Sequence, residues 1–116
     1  MITKRRDFLA AAKARRWSAG GLLLQGRRRR EGEPAPADAL RVGYTCSKKV
    51  GNAVARNRAK RRLRAAAAAA LPQLGRPGWD YVLIGRAGAT AARPFAELVS
   101  DLELAIDRVH APKPRK

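Results

Sequence analysis

The sequence predicts an α+β domain, a small α-β sandwich in which a sheet of about four strands is covered by three helices. Three observations predict it. The chain has 116 residues, the length of one domain. Its apolar periodicity changes in the order helix, two or three strands, helix, strand, helix, a succession that packs as layers around one core. The residues include 24 alanines, so few large side chains remain and the core must be small.

Residues 4 to 14, KRRDFLAAAKA, read as a short helix with Phe8, Leu9 and Ala12 on one face and Asp7 suited to the positive end of the helix dipole. Gly20 and Gly21 punctuate the chain. LLLQ at 22 to 25 reads as a strand, preceded by a shorter one near Trp17. Residues 26 to 38, GRRRREGEPAPAD, carry two glycines and two prolines and read as a loop. The Arg27 to Arg30 run within it reads as a strand end and turn that adds nonspecific phosphate contacts. LRVGYTCS at 40 to 47 alternates Leu40, Val42, Tyr44 and Cys46 with Arg41, Gly43, Thr45 and Ser47, the period of a half-buried strand with Cys46 as a small inward hydrophobe.

A helix is expected from Asn52 to Leu71, with Pro72, Gly75, Pro77 and Gly78 marking its end. WDYVLIG at 79 to 85 is an apolar strand, with Trp79 and Tyr81 in the core or at a sheet edge. The last helix starts near Pro94 and carries Phe95, Leu98, Leu102, Ile106 and Val109 along one stripe, with four acids on its other face. Residues 1–111 form the single domain, and 112–116, PKPRK, are a basic tail too polar and proline-rich to need a fold.

Charge narrows the function. With 26 Lys and Arg against 9 Asp and Glu the net charge is +17, which concentrates polyanions around the chain and points to nucleic acid or an anionic membrane. No apolar run is long enough to span a bilayer and the start lacks a secretory signal, so a cytoplasmic protein is expected. One cysteine, Cys46, and one histidine, His110, supply neither an internal disulfide nor a zinc site.

Between Asp38 and Asp80 there is no acidic residue, while residues 48 to 64, KKVGNAVARNRAKRRLR, hold eight basic ones. On a helix at about 100° per residue, Ala55, Ala59, Leu63, Ala66 and Ala70 make one narrow apolar stripe. Like charges then stand at i,i+4 three times, Arg56 with Lys60, Lys60 with Arg64 and Arg58 with Arg62, at a cost of roughly 0.2–0.5 kcal/mol each. A merely solvated face mixes signs to avoid that cost. Arginine predominates, and its planar fork grips pairs of phosphate oxygens, which favours a nucleic-acid backbone over diffuse lipid charge.

The string SKKVGNAVARNRAKRRLR, residues 47 to 64, resembles the signature of the bacterial ribonuclease P protein subunit, with its Ser-Lys-Lys-x-Gly-x-Ala-x-x-Arg-Asn-Arg-x-Lys-Arg pattern intact. The Asp7-Phe8 pair, RVG at 41 to 43, DYVLIGR at 80 to 86 and a closing amphipathic helix fall in the family's order, so the resemblance covers about residues 4 to 109. It implies a subunit of a ribonucleoprotein endonuclease that removes the 5′ leader of precursor tRNA. The RNA subunit then performs the hydrolysis with bound Mg2+, which that RNA mainly holds. It also implies a left-handed β-α-β crossover, an exception to the usual hand, and a monomer within the ribonucleoprotein, with no membrane partner.

By position, the resemblance implies that Arg56, Asn57 and Arg58, with Lys60, Arg61, Arg62 and Arg64, lie against the catalytic RNA. Lys48 and Lys49 extend that surface, and Asn52 is a helix cap or phosphate donor. A second surface, between the first helix and the sheet, receives the single-stranded leader, with Phe8, Trp17, Gln25, Thr45 and Ser47 as candidates. Phe8 reads equally as core packing of the first helix, and Trp17 also reads as a strand residue packed against a helix. The chain departs from the family in having Ala12 where a second aromatic is common and Gln25 where a tyrosine is. Base stacking, worth about 1–3 kcal/mol per base, therefore has few providers, and leader binding by charge and hydrogen bonds is expected.

No nucleophile, base and orienter assemble from one His and one Cys on separate elements, which fits a protein that assists an RNA catalyst. The alternative is a ribosomal or general structured-RNA-binding protein without catalytic role, and a third reading is a DNA-architectural or membrane-surface protein.

Overall fold

The run WDYVLIG becomes the strand on which both layers are built, since a strand covered on both faces needs apolar residues without alternation. The computed structural model describes residues 2, 4–30, 32, 39–46 and 48–111. Its elements are α1 (Arg5–Ala12), β1 (Arg15–Ala19), β2 (Leu22–Arg28), β3 (Arg41–Cys46), α2 (Ala53–Leu74), β4 (Trp79–Gly85), α3 (Ala89–Ala92) and α4 (Phe95–His110). The sheet has the order β1-β2-β4-β3. β1 and β2, and β2 and β4, run antiparallel, whereas β3 and β4 are parallel neighbours joined through α2.

Register assigns the faces. Trp17, Leu24, Leu83 and Tyr44 stand in one row, and Gln25, Val82 and Gly43 in the next row, on the opposite face. The first face carries the main core, in which Leu22, Leu24, Tyr81 and Leu83 meet Leu63, Ala66, Ala70 and Leu71 of α2 and Leu98, Leu102, Ile106 and Val109 of α4. Alanine suits α2 here, because a thin seam of small residues lets the helix approach both the sheet and α4. At Gly26 the approach of α4 is so close that a Cβ would lie 2.3 Å from Val109 Cγ1. On the other face α1 lays Phe8 and Ala11 against Ile2, Val82 and Ile84, and a Cβ at Gly43 would stand 2.8 Å from the Phe8 ring.

Several expectations change. α1 turns Phe8 and Ala11 inward, leaving Ala12 exposed and Leu9 51% exposed, because the sheet beneath is narrow and one i,i+3 pair covers it. β2 runs on through Gly26 to Arg28, pairing with Trp79 at its end, so the expected loop begins later. Residues 31 and 33–38 of that loop, with Ser47 and the tail 112–116, lie outside the described residues. Pro72 does not end α2, which continues to Leu74. Its missing N–H costs one bond to the carbonyl of Ala68, and both residues lie on the solvent side, where water replaces it.

The four-residue α3 is additional, too short to show a period. In α4, Phe95 is 43% exposed and outside the core, while Asp101 is buried. Asp101 accepts bonds from Gly21 N at 2.9 Å and Arg93 Nε at 2.5 Å, tying the β1–β2 turn and the α3–α4 link to the helix.

Candidate nucleic-acid interface

The SKKVGN motif makes a start for a helix. After β3 a single helical turn spans Lys48–Val50, and Gly51 takes φ +136°, a left-handed value that glycine alone adopts without strain. Asn52 then caps α2, its Oδ1 accepting from Ala55 N at 3.0 Å. Ala59, Leu63, Ala66, Ala67, Ala70 and Leu71 face inward.

The seam sorts the basic residues. Lys48, Lys49, Asn52, Asn57, Arg58, Arg61 and Arg64 are exposed, whereas Arg56, Lys60 and Arg62 are half-buried. Among the described residues no carboxylate pairs with any basic residue of α2, the ion pairs lying elsewhere. Arg64 places its guanidinium 5.5 Å from the centre of the Tyr44 ring, a cation–π contact that holds the side chain against β3. Arg56 keeps a buried Nε without a partner among the described residues.

Arg62 differs from the expectation of an outward charge. Its Nε donates to Thr90 O at 3.0 Å and its Nη2 to Arg93 O, so it closes the carbonyl end of α3. No signal in the motif marks Arg62 apart from its neighbours, because α3 is distant in sequence.

Of the leader candidates, the structure brings Phe8, Gln25 and Thr45 to the face that carries α1. Gln25 is buried in the row with Val82, Thr45 is half-buried beside Ile84, and the Phe8 ring stands over Gly43 of β3. Phe8 thus packs in the core of that face while keeping part of its ring accessible. Trp17 does not join them. It shares a row with Leu24 on the opposite face, 41% exposed, with Arg108 5.6 Å from its ring centre.

A third basic group was not legible as such. Asp80, fully buried, accepts from Arg29 Nη1 at 2.6 Å and from Arg41 Nε at 2.9 Å and Nη2 at 2.7 Å, with Arg27 Nη1 at 3.7 Å. Burial pushes its carboxyl up, but the bonds from Arg41 and Arg29 outweigh that and hold it below the usual carboxylate range. Arg29, itself buried, also donates to the carbonyls of Trp79 and Ala39. Arg29 therefore closes the sheet rather than offering a phosphate contact. The signal that was present is an aspartate at the start of an apolar strand, between arginines on both neighbouring strands.

The Ribonuclease P family profile matches residues 1–110. The chain belongs to the ribonuclease P protein family. It is 62% identical to the ribonuclease P protein component of Ruegeria pomeroyi, over 98% of this chain and 89% of that one. With the ribonuclease P protein component of Paramagnetospirillum magneticum it shares 51% identity, over 95% and 82% of the two chains. The RNase P protein of Thermotoga maritima has the same fold, with a TM-score of 0.75 over 95% of this chain and 97% of that one at 23% identity.

A ribonuclease P protein is the protein component of a ribonucleoprotein endoribonuclease, a tRNA-processing subunit, and the site can be judged against that chemistry. Among the described residues no three His, Cys, Asp or Glu side chains cluster as metal ligands, and Asp80 and Asp101 are committed to arginines. Among the described residues the donor set does not form a magnesium cage. Cys46 is half-buried against Gly85 and burial pushes its thiol up, away from nucleophilic use. Among the described residues no helix is long and apolar enough to cross a membrane.

Proposed function

We propose that the chain binds the catalytic RNA of ribonuclease P through α2 and the 5′ leader of precursor tRNA through the α1 face of the sheet, and so assists Mg2+-dependent removal of the leader. The observation that carries it is the helix face of Asn57, Arg58, Arg61 and Arg64, exposed and without a carboxylate partner among the described residues. A face of like charges held on a capped, docked helix repels itself and concentrates polyanions, and a nucleic-acid backbone neutralises it. Lys48, Lys49 and Asn52 continue that face toward β3, and Arg56 and Lys60 flank it.

The protein's contribution is electrostatic. Guanidinium groups screen the repulsion between enzyme RNA and substrate RNA, and the reduced repulsion raises substrate affinity and the affinity of RNA-held Mg2+. Phe8, Gln25 and Thr45 form the leader surface, Ser47 stands two residues beyond Thr45 in the chain, and Trp17 is left to α4. The protein acts as a monomer within a cytoplasmic ribonucleoprotein.

Cleavage of a precursor tRNA by the cognate RNA subunit at low magnesium tests the reading, with wild type compared with Arg56→Ala/Arg58→Ala. Rescue by wild type and poor rescue by the variant is the expected result. RNA binding without rescue returns the chain to general RNA binding, and full rescue by the variant moves the contact off α2.

A further inference from the structure

At the other end of the sheet lies a second basic concavity. β1 begins only at Arg15, paired with Gly26, whereas β2 continues to Arg28 and pairs there with Trp79. Beyond the start of β1 the chain leaves a groove of about 1100 Å3 between the C-terminal ends of α1 and α4. Among the described residues thirteen line it, seven of them Lys or Arg, including Lys13, Arg15, Arg28 and Arg76, and one an acid, Asp7, which already reaches Arg41 at 3.5 Å. Trp79 and His110 also line it.

The groove is distinct from the two surfaces above. Its α1 residues include Ala10, about 200° around the helix from Phe8, so it occupies the opposite flank of α1 from the leader candidates. Along β4 it lies at Trp79, six residues from Gly85 at the end nearest the start of α2, a separation of about 20 Å at roughly 3.3 Å per residue.

Its aromatic floor is rigid. Trp79 stacks at 6.2 Å on Tyr81, and His110 packs edge-on to Trp79 at 4.2 Å with its Nε2 2.5 Å from the Tyr81 hydroxyl. Arg15 is held by donating to the carbonyls of Val109 and Ala111 at the end of α4. A smaller hollow of about 400 Å3 adjoins, sharing Arg76 and His110. One anchored arginine and several exposed cations around a packed indole suit a chain of phosphates whose bases are free to stack, which a duplex does not offer.

We propose that this groove takes single-stranded RNA, the upstream part of a long 5′ leader that has passed over α1, with Lys13, Arg28 and Arg76 on phosphates and one base against Trp79. The inference rests on the leader reading of the α1 face.

The test measures the affinity of the reconstituted holoenzyme for precursors with leaders of about two and about fifteen nucleotides, using wild type and Lys13→Ala/Arg76→Ala. Both substituted side chains are exposed, and melting curves check that the fold is kept. Wild type is expected to bind the long leader more tightly. The variant is expected to lose about tenfold for the long leader and nothing for the short one, and its salt slope on the long leader falls by about 1.4, two phosphates at roughly 0.7 each for a single strand.

Equal affinities of variant and wild type for the long leader overturn the inference. So does an equal loss for both leaders, which places the RNA subunit or the tRNA body in the groove. Displacement by an acidic peptide but not by a long single-stranded oligonucleotide also overturns it. If wild type gains nothing from any leader, the leader reading falls with it, whereas a gain retained by the variant removes the groove alone.

Discussion

The arginines of α2 and those around Asp80 are the same residue type on two regions of one small domain, and they behave in opposite ways. Arg58 and Arg61 are exposed and pair with no carboxylate among the described residues, while Arg27, Arg29 and Arg41 close on one buried carboxylate where β2, β4 and β3 lie side by side. The difference is set by a single acid. Asp80 stands in register with Arg27 on one side and Arg41 on the other, and its burial makes each bond electrostatically stronger than in water. Among the described residues no acid pairs with a basic residue of α2, so its charge is available to a partner. An arginine count therefore measures neither stability nor RNA affinity until the carboxylates are placed.

The largest expected effect comes from removing that acid. Asp80→Ala removes the buried carboxylate that Arg29, Arg41 and Arg27 share, and a loss of about 3–5 kcal/mol in urea unfolding is expected. A small shift there would mean the two arginine groups do not differ.

Next is Arg58→Ala/Arg61→Ala. The unfolding free energy should stay within about 0.5 kcal/mol, because both side chains are exposed. Affinity for the catalytic RNA should drop about tenfold or more, with the salt slope lowered by about 1.8 if both contact duplex phosphates. Loss of stability without loss of RNA affinity would reverse the comparison.

A smaller effect is expected from Asn52→Ala, which removes the acceptor of the Ala55 N–H and costs about 1 kcal/mol in thermal unfolding. An additional loss of RNA affinity would make Asn52 a phosphate contact as well as a cap.

The smallest effect is on pH dependence. Burial, with the nearby charges of Arg76 and Arg15, lowers His110 from its ordinary 6.5 to about 4. The unfolded chain then binds the proton first as pH falls. Stability contributed by neutral His110 is complete above pH 6.5 and is lost between there and about pH 4, while the Asp80 share is lost only below the ordinary carboxylate value of 3.8. A melting temperature that declines by a few degrees from pH 6.5 to 4.5 is expected. His110→Gln should flatten that limb and leave the steeper fall below pH 4.

Much of the fold was readable because its elements carry strong local patterns. The alternation of Leu40, Val42, Tyr44 and Cys46 and the run WDYVLIG are strands, and the stripe of Leu98, Leu102, Ile106 and Val109 is the buried side of α4. Where the reading failed, the deciding contact was distant. Leu9 and Phe95 are as apolar as their neighbours but stay about half exposed, and Asp101 looks like any helical acid until Gly21 and Arg93 arrive. For the site, the exposed basic residues of α2 follow from the alanine seam, because a helix that docks by one narrow stripe must present the remainder. Gln25 and Thr45 come beside Phe8 because β2, β4 and β3 are adjacent, and Trp17 faces away by one step of the pleat.

By itself the sequence determined the net charge, the acid-free basic segment, the glycine and asparagine that start α2, and membership of the ribonuclease P protein family, since these are properties of residues close together in the chain. Only the tertiary structure decided which arginines are spent. Arg29 and Arg41 are held by Asp80 and Arg62 by the carbonyls of α3, whereas Arg58 and Arg61 remain exposed. Ion pairing falls off over a few ångströms, so the partner of each charge is set by strand register and helix docking rather than by spacing along the chain.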